Sequence, residues 1–349
     1  MPIPETIQRV VTDEGPISFS EFQNLALYDP DTGFYATQGQ AGGRRGDFMT
    51  SVEVGPLFGA VLANALDTWW DELGRPAPFV VVEGAAGVGT LARTLLAARP
   101  RCGAALELHL VEISAPLRAQ HPDGVTSHLD LPEGPAHVVV ANELLDNLPV
   151  DLYELTANGW AEVRVGAHGE GLAEVLVPVP SDDAAAVAVD LRLDAVEQRV
   201  PTGQRLPAPR RAEAWLVRAV GLLEPGGRVV ALDYFRPLAD FIGLEADAWV
   251  RTYRHHHRGG HPLDDPSQQD ITCDVRLPVG PTDPRTSSQA EFLGRHGIQQ
   301  LVEDGRRIWA EKAANPDLEA MKARSRISEA EALLDPDGLG GFSVCQWGP

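Results

Sequence analysis

Cysteine is nearly absent. The chain has three, Cys102, Cys273 and Cys345, far apart and without a C-x-x-C pair. That excludes a disulfide framework and a zinc knuckle, and it leads us to expect a reduced, cytoplasmic setting. Lysine is scarcer still, at Lys312 and Lys322 alone, so arginine carries nearly all the positive charge. Basic residues are outnumbered, 29 against 50 acidic, for a net charge of −21. Proteins that grip a phosphate backbone do so with Lys and Arg clusters that release counterions, so no nucleic-acid partner is expected. A basic protein or peptide is compatible with this surface. No apolar run approaches the ~20 residues of a membrane helix, so no membrane partner is expected. Met1 to Val10 carries charges where a signal peptide needs an apolar core, so secretion is not expected either. Yet 44% of the 349 residues are hydrophobic, enough for one large α/β domain with insertions or for two domains.

What is present is organised around strands. Apolar runs at 79–83, 107–112, 125–127, 136–141 and 228–233 suit parallel strands buried on both faces. Helical patterns at 90–98, 115–121 and 209–223 lie between them, and Pro225-Gly226-Gly227 forms a turn before the fifth run. Upstream, 21–28 reads as a short amphipathic helix. Residues 57–73 read as a longer one, with Phe58, Val61, Leu62, Ala65, Leu66 and Trp69 on one face. Between the fourth and fifth runs, 153–165 and 171–179 predict a hairpin with Asn158-Gly159 as a turn, and 182–194 an Ala-rich helix. A polar insertion at 234–270 follows, and 289–344 mixes helices with closing strands.

The first apolar run ends in Glu83, followed by Gly84-Ala85-Ala86-Gly87-Val88-Gly89 and then a helix. Glycines at such a junction let the backbone approach a ligand, and the helix N-terminus stabilises negative charge. Gly87-Val88-Gly89-Thr90-Leu91-Ala92 fits the G-x-G-x-x-A form of the dinucleotide fingerprint. Glu83 argues against a dinucleotide, because a carboxylate there would repel a pyrophosphate. It suits S-adenosylmethionine, which carries an α-ammonium and a sulfonium and no phosphate. Glu112, ending the second run, can accept hydrogen bonds from both ribose hydroxyls, and Asp130-Leu131 after the third is placed to reach the adenine edge.

The fourth run leads into Asn142-Glu143-Leu144-Leu145-Asp146-Asn147-Leu148-Pro149-Val150. Ligands of open α/β sheets lie at the carboxyl ends of the strands, so Asn142 and Glu143 are expected to face a methyl donor. Glu143 and Asp146 could anchor a positively charged nucleophile or take its proton. Asn142 as a helix cap with Asp146 on a solvent face is the plainer alternative.

Several stretches resemble a known family. They are Gly15-Pro16-Ile17-Ser18-Phe19 through Leu27-Tyr28-Asp29-Pro30 to Gly33-Phe34-Tyr35; Gly46-Asp47-Phe48-Met49-Thr50-Ser51 with Glu53; Leu110-Val111-Glu112-Ile113-Ser114; Asn142 to Val150; and Gln269-Asp270-Ile271-Thr272 with Asp274-Val275. In this order they are similar to the MidA-type S-adenosylmethionine-dependent methyltransferases, a group that includes the mitochondrial complex I assembly factor acting on protein arginine. The resemblance implies an α/β class I methyltransferase fold, a Rossmann-like, mostly parallel sheet with helices on both faces. It implies an N-terminal segment, 1–75, over the active-site mouth, and a core, 76–349, with insertions at about 151–205 and 234–270. It also implies that Asp47, Phe48, Thr50 and Ser51 lie near cofactor or substrate. Asp47 would join Glu143 and Asp146 as catalytic. Thr50 and Ser51 would join Glu83, Gly87, Gly89, Glu112, Asp130, Leu131 and Asn142 at the cofactor. The implied acceptor is a protein arginine side chain.

The chain departs from the family loop, roughly Glu-Leu-Gly-Pro-Gly-Arg-Gly, at Ala85 and Val88, and Val52 replaces a proline. If position 85 needs positive φ, Ala85 is strained by about 1 kcal/mol, unless Gly84 shifts the turn. The run His255-His256-His257 with His261 suggests a metal only superficially, since adjacent histidines on an extended chain point opposite ways; no metal is expected. Ser20, Ser51 and Ser287 lack a nucleophile-elbow context, which argues against a hydrolase. Three rivals stay open: a methyltransferase of a small metabolite, a nicotinamide-dependent oxidoreductase, and a catalytically silent partner-binding protein.

Overall fold

A computed structural model describes residues 3–37, 50–254 and 257–348. Its centre is a seven-stranded sheet built from Phe79–Gly84 (β1), Leu106–Val111 (β2), Thr126–His128 (β3), Ala136–Asn142 (β4), Leu223–Asp233 (β5), Arg285–Ser288 (β6) and Ser343–Trp347 (β7). The order is β6-β7-β5-β4-β1-β2-β3. Strands β5, β4, β1, β2 and β3 run parallel to their neighbours, and β7 closes the sheet antiparallel to β5 and β6. Chain order reverses between β1 and β4, which opens a crevice at their carboxyl ends.

Both faces of the sheet are covered, which is why its strands read as continuous apolar runs. Val81, Leu108, Leu110, Val138, Val140, Val230 and Leu232 pack on the helices Pro56–Glu72 and Thr90–Ala97 on one face. Val82, Val139, Ala141, Val229 and Ala231 pack on the helix Arg210–Gly221 on the other. Strand β5 begins earlier than its apolar run. It starts at Leu223 and carries the Pro225-Gly226-Gly227 turn as a register shift inside it, with Gly226 at φ +84°.

A second sheet joins Ile17–Ser18, Gly159–His168, Asp151–Thr156 and Arg205–Ala208 in that order, with Gly171–Pro178 on the edge of Gly159–His168. Helices Glu5–Asp13 and Phe19–Tyr28 pack on it through Ile7, Val11, Phe19 and Phe22. The expected N-terminal segment, 1–75, is therefore divided. Its first helices belong to the inserted sheet, whereas Pro56–Glu72 belongs to the central core. The reason is apolarity on nearly every side of that second helix: Leu57, Phe58, Val61, Leu62, Ala63, Ala65, Leu66 and Trp69 are all buried.

Other elements are shorter than their patterns. The 115–121 helix is the single turn Ala115–Arg118. The 182–194 helix spans Ala184–Asp190 and stops where Arg192 turns left-handed, at φ +52°. The polar insertion at 234–270 contains strands, because Trp249, Val250 and Ile271 are buried in the second core. Gln23, fully buried, ties three distant segments together: its amide donates to the Ile271 carbonyl at 3.0 Å and accepts from Val150 N–H at 3.0 Å. This clamp carries the helix Phe19–Tyr28 to the mouth of the crevice.

Candidate active site

A cleft of about 510 Å³ lies at the carboxyl ends of β1, β2 and β4. Glu83, Ala85, Gly87, Glu112, Asn142 and Glu143 line it from the sheet, and Tyr28, Tyr35, Tyr253 and Asp270 from the N-terminal and inserted segments. The expected cofactor residues Glu83, Gly87, Glu112, Asp130, Asn142 and Thr50 are thus brought together.

Each strand end holds its acid differently. Glu83, near the end of β1, has no hydrogen-bond or ion-pair partner among the described residues. Burial pushes its carboxyl up to about 8, with the neighbouring Glu112 adding to the rise. Glu112 is pinned: its carboxylate accepts Gly87 N–H at 3.0 Å and Ser114 N–H at 2.8 Å. Burial raises its pKa, and these two amides work against the rise. Gly87 N–H takes Oε2 and Ser114 N–H takes Oε1, which leaves acceptor capacity on the carboxylate for a ligand hydroxyl.

The glycine loop departs from expectation at one point. Gly84 does not take over the left-handed turn; Ala85 adopts it, at φ +51°. Gly84 answers a different need. A Cβ there would sit 2.7 Å from Trp215 Cζ2 and 3.1 Å from Leu144 Cδ2, so the indole packs directly against the backbone. Gly87 and Gly89 are also left-handed, at φ +55° and +80°, which suits glycine.

Glu143 is the second non-glycine residue of the site at positive φ, +53°. Its N–H extends the β4–β5 pairing to the Leu232 carbonyl at 2.8 Å, and the left-handed turn carries its side chain to the cleft. The carboxylate accepts Ser51 N–H at 3.3 Å and the Asn142 amide at 3.2 Å. Burial, then the charge of Asp233, pushes it up to about 8. No helix follows Asn142, so it caps none, and Asp146 is not on a solvent face: it is 3% exposed. Burial and the adjacent Asp233 raise the Asp146 pKa far above the usual carboxylate range. Asp233 itself is held by Leu145 N–H at 2.7 Å and Tyr234 N–H at 2.8 Å. Asp146 therefore keeps the proton of the pair. Asp146 Oδ1 and Asn142 Oδ1, both on residues lining the cleft, are buried without a partner.

Three expected residues do not reach the cleft. Leu131 is packed with Val82 and Val139 in the core, because Asp130 Oδ1 turns the backbone by accepting Leu131 N–H at 2.8 Å. Leu129, 62% exposed, lines the cleft in its place, as does Ile113 at 56%. Asp130 lines the cleft but is also paired with Arg218 at 2.8 Å. Ser51 is fully buried and bonds Gln289, so its link to the cleft is the N–H on Glu143. Gly89 packs instead under Pro122 and Leu110. Asp47 and Phe48, like His255 and His256, lie outside the described residues.

Periodicity and spacing gave no sign of the aromatic wall, although its residues stand in the stretches that carry the resemblance. Tyr28 and Tyr35 stack at 5.3 Å, and Tyr35 hydroxyl donates to Asp270 at 3.0 Å, a pairing across 235 residues. Asn147 also donates to Asp270, at 3.1 Å. The exposed apolar residues just past two strand ends, Ile113 and Leu129, were the available signal for the cofactor side; a contact across 235 residues leaves none.

Strand order, glycine loop and strand-end acids define a class I methyltransferase. The comparisons agree. The model of the family described as "Putative S-adenosyl-L-methionine-dependent methyltransferase" matches residues 61–278, and the chain belongs to this family. It is similar to the mitochondrial protein arginine methyltransferase NDUFAF7 of Mus musculus, 26% identical over 95% of this chain and 80% of that one. The Drosophila melanogaster homologue is 28% identical over 76% of this chain, which spans 66% of that relative. Among solved structures, a Burkholderia thailandensis protein with S-adenosyl-homocysteine bound superposes with a TM-score of 0.79 at 25% identity, covering 100% of this chain and 95% of the other. The chain is an S-adenosylmethionine-dependent methyltransferase.

Proposed function

We propose that the acceptor is an arginine guanidinium of a basic protein segment. The observation that carries this reading is the acid-rich end of the cleft, where Asp146 Oδ1 is buried without a partner beside Glu143 and Asp270. A planar cation with five N–H donors matches such a set of acceptors, and the Tyr28–Tyr35 stack offers it an aromatic face. The naming of the relatives as protein arginine methyltransferases supports the same acceptor.

S-adenosylmethionine, when bound, supplies a sulfonium methyl for in-line transfer. The residues present fit it. Glu83, otherwise unpaired among the described residues, meets the α-ammonium. Glu112 takes the ribose hydroxyls, and Gly87 keeps the loop close. Ile113 and Leu129 flank the adenine, with Asp130 at its edge. Asn142 and Thr50 border the reacting end.

On the acceptor side, Glu143 and Asp146 orient the guanidinium so that one nitrogen faces the donor. As that nitrogen gains a methyl group, it must lose one proton. A guanidinium beside Glu143 favours the ionised form of its carboxyl, and that carboxylate receives the proton, its affinity for protons raised by burial. Most of the acceleration comes from alignment and fixed charge rather than covalent chemistry.

The test is incubation with methyl-labelled S-adenosylmethionine and three acceptors: a basic peptide with one arginine, its lysine counterpart, and free arginine. Label on the arginine peptide alone is the expected result. Label on free arginine alone would replace this reading with a small-metabolite methyltransferase.

A further inference from the structure

The last part of the chain, residues 285–347, lies beyond the stretch matched by the family model and contributes no residue to the cleft lining. It nevertheless grips the segment that holds Glu143, and it does so twice. Gln289, fully buried at the start of the helix Gln289–Arg295, accepts the Ser51 hydroxyl at 2.8 Å. Its amide nitrogen donates to the Leu333 carbonyl at 3.2 Å. That second bond decides the orientation of the amide, because only its nitrogen can donate, so the oxygen must face Ser51. Ser51 in turn presents its N–H to Glu143 at 3.3 Å. Six residues after Ser51, Leu57 N–H donates at 2.8 Å to Glu329 of the helix Leu318–Leu334, which also accepts the Ser325 hydroxyl. Its carboxylate presses on Gly55, where a Cβ would lie 2.3 Å from Glu329 Cδ. The corner between the helices Ser51–Val54 and Pro56–Glu72 is thus fitted to the C-terminal helices by two independent contacts.

We infer that Gln289 is a positioning residue for Glu143: through Ser51 it aims one backbone N–H at the Glu143 carboxylate and fixes its place in the cleft. The inference rests on the role given above to Glu143. Groups facing that carboxylate are Asp233, Ser51, Asn142 and Glu53, with Asp146 and Tyr234 nearby. Of these, Ser51 and Asn142 donate hydrogen bonds to it.

The test reads Glu143 directly in the resting full-length protein, by the pH titration of its ¹³C-carboxyl resonance, assigned by its loss in Glu143→Gln. Wild type should titrate near 8. Gln289→Leu removes the acceptor for Ser51, and the midpoint should rise by about half a pH unit as the N–H bond weakens. Gln289→Glu, protonated at this buried position, can still accept from Ser51 and donate to Leu333, so it should restore the wild-type midpoint. Val302→Ala, in the same C-terminal helices but off this chain of bonds, should leave it unchanged. If Gln289→Leu fails to fold, Ser51→Ala removes the same hydroxyl with little change of volume and should raise the midpoint in the same way. An unchanged midpoint in the folded variant, or an equal shift in Val302→Ala, overturns the inference. Failure of the methylation reading would appear elsewhere, as absent transfer in the peptide assay while this titration still responds to Gln289.

Discussion

Replacing Glu83 by glutamine should uncouple cofactor binding from proton release. In the resting protein burial holds the Glu83 carboxyl near 8, so at pH 7 it is mostly protonated. An α-ammonium beside it reverses the balance, because an opposite charge at contact distance favours the ionised form. Binding must then expel the proton: with a resting midpoint near 8, about 0.9 proton leaves per ligand bound at pH 7. The sign follows directly. The group binds its proton more tightly before binding than after, so affinity rises with pH until the resting midpoint is reached. Between pH 6 and 7.5 the same linkage makes binding roughly 25-fold tighter. Above about pH 8 the ligand's own amine begins to lose its proton, so the window must close there. The assay is calorimetric titration with S-adenosylmethionine at pH 7 in buffers of different ionisation enthalpy, on wild type and Glu83→Gln. Heat that varies with buffer in wild type and not in the variant is expected. Equal proton release in both proteins, or wild-type affinity flat from pH 6 to 7.5, would refute the pairing of Glu83 with the ammonium.

Glu143→Gln should lower kcat by about 100-fold or more, with the dissociation constant of S-adenosylmethionine within a factor of a few of wild type; stopped assays on the arginine peptide and calorimetry separate the two. Ala85→Gly relieves a left-handed alanine and should stabilise the resting protein by about 1 kcal/mol, read as a higher urea midpoint at unchanged slope. Tyr35→Phe removes the hydroxyl that bonds Asp270; peptide KM should rise several-fold, by about the worth of one hydrogen bond, while cofactor binding holds.

The central sheet was legible because each parallel strand is covered on both faces and so reads as an unbroken apolar run. The acids at its carboxyl ends were legible for the same reason: Glu83, Glu112 and Glu143 stand where those runs stop. Boundaries that depend on tertiary packing were not. The helix Pro56–Glu72 looks like part of an N-terminal segment until its apolar circumference meets the central core. Leu131 looked like an adenine contact because sequence order does not reveal that Asp130 turns the chain inward and leaves Leu129 outside. The acceptor side was the least legible. Tyr35 and Asp270 meet across 235 residues, and Ser51 and Gln289 across 238. Such pairs carry no periodicity, only the family resemblance that drew attention to Tyr35, Asp270 and Ser51. Gln289 had no signal of either kind.

Fragmentation mass spectrometry of the single-arginine peptide, after incubation with labelled S-adenosylmethionine, tests most directly the proposal that the acid-rich end of the cleft receives an arginine guanidinium. The expected label is on a guanidinium nitrogen, present with wild type and lost with Glu143→Gln. A protein that binds S-adenosylmethionine yet leaves the guanidinium unlabelled, or labels it equally well with Glu143→Gln, would contradict it.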